Sequence, residues 1–184
     1  MQLLTRKFTV EQYHQMAKEG ILSHQERIEL IEGEIVTMSP IGFRHAFVTN
    51  YLAHWFTRNL GEAVFTSSQN PILLGDRSEP QPDLALLKPV ENFYADRLPQ
   101  AADILLLIEV ADSSVTYDQT VKVPLYAKNQ IPEVWLINLN QQQLECYTNP
   151  LNHAYQNQVI FYPDQAIFPL AFPTLEFSLN QIFN

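Results

Sequence analysis

The run Ile104-Leu105-Leu106-Leu107-Ile108, followed at once by Glu109, constrains this chain more than any other stretch. Consecutive apolar residues of that kind read as a strand covered on both faces of a sheet. A carboxylate at the end of such a strand is costly to bury. Asp112 follows closely, so either something neutralises this acidic strand end or something uses it.

The remaining segments supply layers for that strand. Thr9 and Gln12 form a capping-box pattern opening a short helix that Gly20 can stop. "RIELIEGEIVTMSP" alternates apolar residues on either side of Glu32-Gly33, which predicts a hairpin with a tight turn. Between Gly42 and Gly61, the residues Phe43, Phe47, Tyr51, Leu52, Trp55, Phe56 and Leu60 recur at three- and four-residue spacings. They predict the longest amphipathic helix, laid over the sheet, with this apolar set as core rather than a base-stacking platform. "AVFTSSQNPILL", "PDLALLK", "DILLLIEV", "VWLINL" and "QLECYT" read as strands. "TYDQTVKVPLYAKNQ", between the third and fourth of these, is compatible with a helix that begins or bends near Pro124. The tail from Tyr162 onward reads as ordered edge structure ending in a short helix. "VWLINL" and this tail serve either as core or as a dimer edge. The sum is a mixed α/β (α+β) sheet domain with an N-terminal helix and β-hairpin. At 184 residues and 46% apolar content, one domain spanning 1–184 is expected.

Charge narrows the function. Eleven basic against 20 acidic residues give a net charge of −9, the wrong sign for coating nucleic acid indiscriminately, so any DNA contact must be local. Arg44, Arg58, Lys88 and Arg97 are too scattered along the sequence to assemble a groove by spacing. The single Cys146 forms no internal disulfide, the start lacks a signal-type apolar stretch, and no segment approaches the roughly 18–20 apolar residues of a membrane span. A cytoplasmic setting is expected. Cys146 has no basic neighbour in sequence to favour a thiolate and reads as a small core residue.

Several residues carry candidate chemistry. Asp83 stands at a strand entrance directly after Pro82, and Glu109 near the end of another strand; adjacent strands would bring the two acids together. Two carboxylates with waters and substrate phosphate oxygens are what magnesium takes, so the pair is a plausible metal seat. Lys122 could reach back over the sheet edge, position a nucleophile and offset charge building on a phosphoryl group. Each has a plainer reading. Asp83 could cap loop amides, Glu109 could pair with Lys122 or Arg97 as a structural acid, and Lys122 could be a solvated helix residue. Glu29 could be half of an exposed strand face. His45, at the start of the long helix, could approach a phosphate or simply pack. His45 and His54 lack the one-turn spacing of a helical zinc site, and His24 and His153 fall in no pattern.

The ordered blocks "ELIEGEI", "MSP", "PQPDLALL", "LLLIEVADSS", "YDQTVKVPLYA" and "IPEVWLIN" resemble the Uma2 family, also called DUF820, which is abundant in cyanobacteria. The resemblance runs from about Phe8 to the C-terminus. It implies the PD-(D/E)xK nuclease superfamily: a restriction-endonuclease-like mixed central sheet flanked by helices, cleaving phosphodiesters with magnesium (manganese as substitute), here DNA as partner. By that resemblance, Pro82-Asp83 matches the PD element, Glu109 the second acid, and the backbone carbonyl of Val110 is a further metal ligand. Position 111 is Ala where the motif has lysine, and Lys122 resembles a lysine supplied from the following helix. Glu29 resembles the acid added from the N-terminal part, with Glu26, Glu32 and Glu34 close by. The expected function is a magnesium-dependent endonuclease, with an inactive nucleic-acid- or protein-binding module, in which acids and lysine form an ion-pair network, as the alternative. A two-carboxylate glycosidase is the weaker third reading. A homodimer fits either of the first two.

Overall fold

A computed structural model describes residues 5–23 and 26–183, which leaves His24 outside the described residues. Helix α1 (Val10–Lys18) begins with the expected reciprocal cap: Thr9 Oγ accepts from the Gln12 N–H, and Gln12 Oε1 accepts from the Thr9 N–H. The hairpin follows as β1 (Ile28–Ile31) and β2 (Glu34–Thr37). Its turn places Glu32 at φ 47° and Gly33 at φ 81°, the left-handed pair that suits the twist of two-residue hairpins. The turn is clamped: Phe8 donates to the Gly33 carbonyl, and the Gly33 N–H donates to the Arg77 carbonyl. A Cβ on Gly33 would lie 2.7 Å from Lys7 Cβ and 3.0 Å from Phe8 N and O. Gly33→Ala is therefore expected to cost roughly 1–3 kcal/mol, through strain and displacement of the Lys7–Phe8 segment. A urea midpoint equal to that of the parent protein would refute this.

The main sheet runs β3 (Phe65–Ser68), β4 (Leu84–Leu87), β5 (Ile104–Ala111), β6 (Glu133–Asn138), β7 (Gln143–Leu151) and β8 (Ala154–Phe161), in that spatial order. All neighbours are antiparallel except β5 and β6. That parallel pair needs a crossover, which the helical stretch after β5 provides. It consists of α3 (Val115–Tyr117), a π-helical turn (Asp118–Lys122) and α4 (Val123–Lys128). Helix α2 (Phe43–Leu60) covers the opposite face. The apolar run therefore divides: Leu106, Ile108 and Val110 pack toward α2, while Ile104, Leu107 and Ala111 pack toward α4. Glu109, by alternation, faces α4. The tail adds β9 (Ala166–Ile167), β10 (Phe177–Ser178) and α5 (Asn180–Phe183). It lies over the α2 face rather than along a sheet edge, with Phe177 set against Phe56 and Trp135.

Three expectations change. "AVFTSSQNPILL" is a strand only over Phe65–Ser68, because Gln69 turns to φ 52°. "VWLINL" lies within an interior strand paired on both sides, so it is core and not a dimer edge. The edge opposite β3 is β8, joined to β7 by Asn152 (φ 51°) and His153 (φ 65°), another left-handed two-residue turn. Finally, Phe43 is 86% exposed and Phe47 51% exposed, so neither belongs to the core; Val48, Thr49, Leu52 and Phe56 form the buried stripe of α2. Among the described residues no helix is long and apolar enough to cross a membrane.

Candidate active site

Where β4 begins, its neighbour β5 runs on past it. Leu84 pairs with Ile108, and two residues further along that register Pro82 would stand opposite Val110 with no N–H to offer. The missing donor is one for the Val110 carbonyl; the Val110 N–H is taken by a side chain, with Asp83 Oδ2 accepting it at 2.9 Å. Leu139 donates to the Ala111 carbonyl on the β6 side, so strand alternation turns the Val110 carbonyl toward β4 and Asp83. Asp83 Oδ2 also lies 3.0 Å from His45 Nε2, and Gln69 Nε2 approaches Oδ1 at 3.4 Å. His45 Nδ1 is buried with no partner. Through Nε2 the imidazole orients Asp83.

Glu109 lies one residue before Val110 on the same strand. Its Oε1 accepts a short hydrogen bond from the Tyr126 hydroxyl and pairs with Lys122 Nζ at 3.3 Å. Lys122 Nζ also pairs with Glu29 Oε2 at 3.2 Å, and the Gln81 N–H donates to that same oxygen at 3.2 Å. Lys122 and Glu29 are both buried, at 5% and 1% exposure, so the lysine is an internal cation and not a solvated helix residue, and Glu29 is not on an exposed strand face. Of the neighbouring acids, Glu26 is exposed, Glu32 is engaged by Lys128 and Glu34 by Lys7, which leaves Glu29 as the acid of that group turned inward. Arg97 pairs with Asp103 and not with Glu109.

The π turn makes the lysine's position attainable. Pro124 has no N–H for the Thr120 carbonyl, and its ring would crowd that carbonyl in a regular α-helix. A wider turn across Asp118–Lys122 absorbs the conflict and carries Asp118 and Lys122 to the buried side. Helix α4 begins directly after that turn and holds Pro124 in its first turn, as expected of a helix that starts near the proline. Such π turns are often found at functional sites.

These groups line one cleft of about 430 Å³, together with Arg27, Ser114 and Tyr117. Its electrostatics are those of clustered acids around one cation. Burial pushes the Glu109 carboxyl up to about 8, with Lys122 opposing and Asp83 and Asp118 adding repulsion. Asp118, which accepts from Ser114 Oγ at 2.7 Å, is likewise raised by burial to about 6, again against Lys122. For Lys122 burial works to lower the pKa, but Glu109, Glu29, Asp118 and Asp83 overcome it and hold the ammonium protonated. Burial, with Glu29 next, pushes the Tyr117 phenol up to about 12, and its hydroxyl is enclosed without a hydrogen-bond partner.

Asp118, Tyr117 and Tyr126 are site residues that the sequence reading missed. The available signal was the short block "YDQTVKVPLY", where an acid and two tyrosines bracket Lys122. Cys146 is not fully core: it is partly buried beside Glu133, with burial and that carboxylate raising its thiol.

Among the described residues no three His, Cys, Asp or Glu side chains converge on a closed metal cage. The donors suit magnesium, which takes one or two carboxylates and fills its shell with water and phosphate oxygens. Asp83, Glu109 and Val110 all line that cleft and carry oxygen donors of this hard kind, and the unpartnered Tyr117 hydroxyl leaves a polar contact to be filled there.

Comparison with known proteins accords with this architecture. No curated protein matches the chain. The fold matches the crystal structure of "a putative nuclease belonging to DUF820 from Anabaena variabilis ATCC 29413", with a TM-score of 0.76 over 96% of this chain and 97% of that one, at 17% identity. A family model described as "Uma2: Putative restriction endonuclease" matches residues 10–180, nearly the whole length, and the chain belongs to the Uma2 family.

Proposed function

We propose that this protein is a magnesium-dependent endonuclease that hydrolyses phosphodiester bonds in DNA. One observation carries the reading: Asp83, Glu109, Glu29 and Lys122, drawn from four separate segments, meet in one cleft with the lysine ion-paired between two of the acids. Asp83, Glu109 and the Val110 carbonyl are the groups that would hold the ion. When bound, magnesium supplies Lewis acidity and a readily ionised water ligand. His45 fixes the Asp83 carboxylate. Glu29 and Glu109 hold the Lys122 ammonium inside the cleft, where it offsets the charge that develops on the phosphoryl oxygens and positions the attacking water. Tyr117 offers a hydroxyl to a phosphate oxygen. Hydrolysis forms one P–O bond from water and breaks the other to the leaving oxygen, which takes up a proton.

Purified protein is expected to nick supercoiled DNA and cut linear DNA in magnesium or manganese, and to stop on chelation. Glu109→Gln should lower the rate by about 10³-fold. Cleavage that persists at the parental rate in this variant would overturn the assignment. The completeness of the Lys122–Glu29–Glu109 network favours a second reading, an inactive nuclease-fold module in which the ion pairs are structural. Magnesium titration by calorimetry separates the two, because only the nuclease takes up the ion through Asp83.

A further inference from the structure

Helix α2 presents a row of aromatic side chains at four-residue intervals: Phe43, Phe47, Tyr51 and Trp55. The first two are 86% and 51% exposed, and the Phe47 and Tyr51 rings are in contact, with centroids 6.0 Å apart. Large exposed rings in a row are costly to leave in water without a use. Two further facts bear on what covers them. The row begins at the cleft: Ile41, Gly42 and His45 line it, and Phe43 lies between them in the chain. At the other end, a second cavity is lined by Tyr51, His54, Trp55, Arg58 and Asn59.

Charge selects among occupants. In a chain of net charge −9, no acidic residue occurs between Glu34 and Glu62, and within that span α2 carries His54 and Arg58 toward its end. Helix α2 therefore contributes no acid to this side of the cleft. An acidic protein with so few basic groups pays heavily to bring up a duplex, whose phosphates are dense and whose base faces are hidden. A single strand has fewer phosphates per length and open base faces, which bind aromatic side chains with little regard to sequence. From Phe43 to Arg58 the helix rises about 22 Å, room for a short run of nucleotides.

We propose that the Phe43–Phe47–Tyr51 row is a stacking track that leads unpaired DNA into the cleft, with Arg58 receiving a backbone phosphate at the far end. The substrate class is DNA with a single-stranded segment, such as a flap, frayed end or gap. This inference rests on the nuclease reading of the cleft, but its test reads binding alone.

Fluorescence anisotropy with labelled single-stranded and duplex oligonucleotides of equal length, in chelator so that nothing is cut, should show preference for the single strand. Phe43→Ala and Phe47→Ala should each weaken single-strand binding by about tenfold, without a change in urea midpoint. Phe43→Leu, which keeps apolar area but removes the π face, should behave like the alanine variant. Equal affinity for duplex, full binding by Phe43→Leu, or equal binding of an oligonucleotide of abasic sites would overturn the proposal. So would sedimentation showing a dimer that the Phe47→Ala substitution dissolves while DNA binding is untouched, since the row would then face a second copy. If the track binds single strands and Glu109→Gln leaves cleavage intact, the metal-site assignment alone fails.

Discussion

Lys122→Met is expected to destabilise the protein by about 3–5 kcal/mol at pH 8, the cost of leaving buried carboxylates without their cation. The lysine is 5% exposed and ion-paired to Glu29 and Glu109, so solvent screens little of this loss. The loss should grow in alkali. Burial already raises the Glu109 carboxyl from 4.5 to about 8 against the pull of Lys122, and removing that pull raises it further. Both folded proteins hold a proton that the unfolded chain releases above its ordinary value of 4.5, so both lose stability as pH rises from about 4.5 to 8. Above about 8 the parent gives this proton up and levels off, while the variant still holds it and goes on losing stability. Urea unfolding of both proteins at pH 7 and pH 10 measures it. A loss below about 1 kcal/mol, or one equal at both values, would mean that the lysine does not neutralise this cluster.

Asp83→Asn separates catalysis from folding. The asparagine oxygen can still accept from the Val110 N–H, so the junction between β4 and β5 survives. Removing one negative charge also relieves repulsion with Glu109 and Asp118. Stability in the absence of metal should therefore stay within about 1 kcal/mol of the parent. Function should not survive. A neutral amide is a poor partner for a hard divalent cation, and losing several kcal/mol of transition-state stabilisation lowers cleavage by about 10³-fold or more. Calorimetry should show magnesium uptake weakened in parallel. Parental magnesium affinity in a folded Asp83→Asn protein would remove this residue from the metal seat.

The sheet was legible where burial is two-sided, because apolar runs such as Ile104–Ile108 have few alternatives. Strand β8 was not. Its Tyr155–Gln158 stretch is polar, and an edge strand exposed on both faces carries neither an apolar run nor a clean alternation. On α2, the seven apolar residues spread wider than one face, and periodicity cannot say which part of so broad a stripe the sheet covers; the structure assigns Leu52 and Phe56 to the core and Phe43 to water. In the cleft, Asp83, Glu109 and Lys122 stood out as charged residues against apolar or motif-like surroundings. Asp118 and Tyr126 did not, because they reach the site only when the crossover folds back over β5, a relation between faces that spacing along the chain does not encode.

The π turn also acts as a phase setter. Each residue advances a helix by about 100°, so the wider turn decides which side chains after it look at β5. Tyr126 on α4 and Lys122 at the turn's end address the same Glu109 oxygen because of this offset. A one-residue deletion between Asp118 and Lys122 would swing that pair out of alignment while leaving every strand in place, so a correctly built scaffold would lose its chemistry to a change of helical pitch.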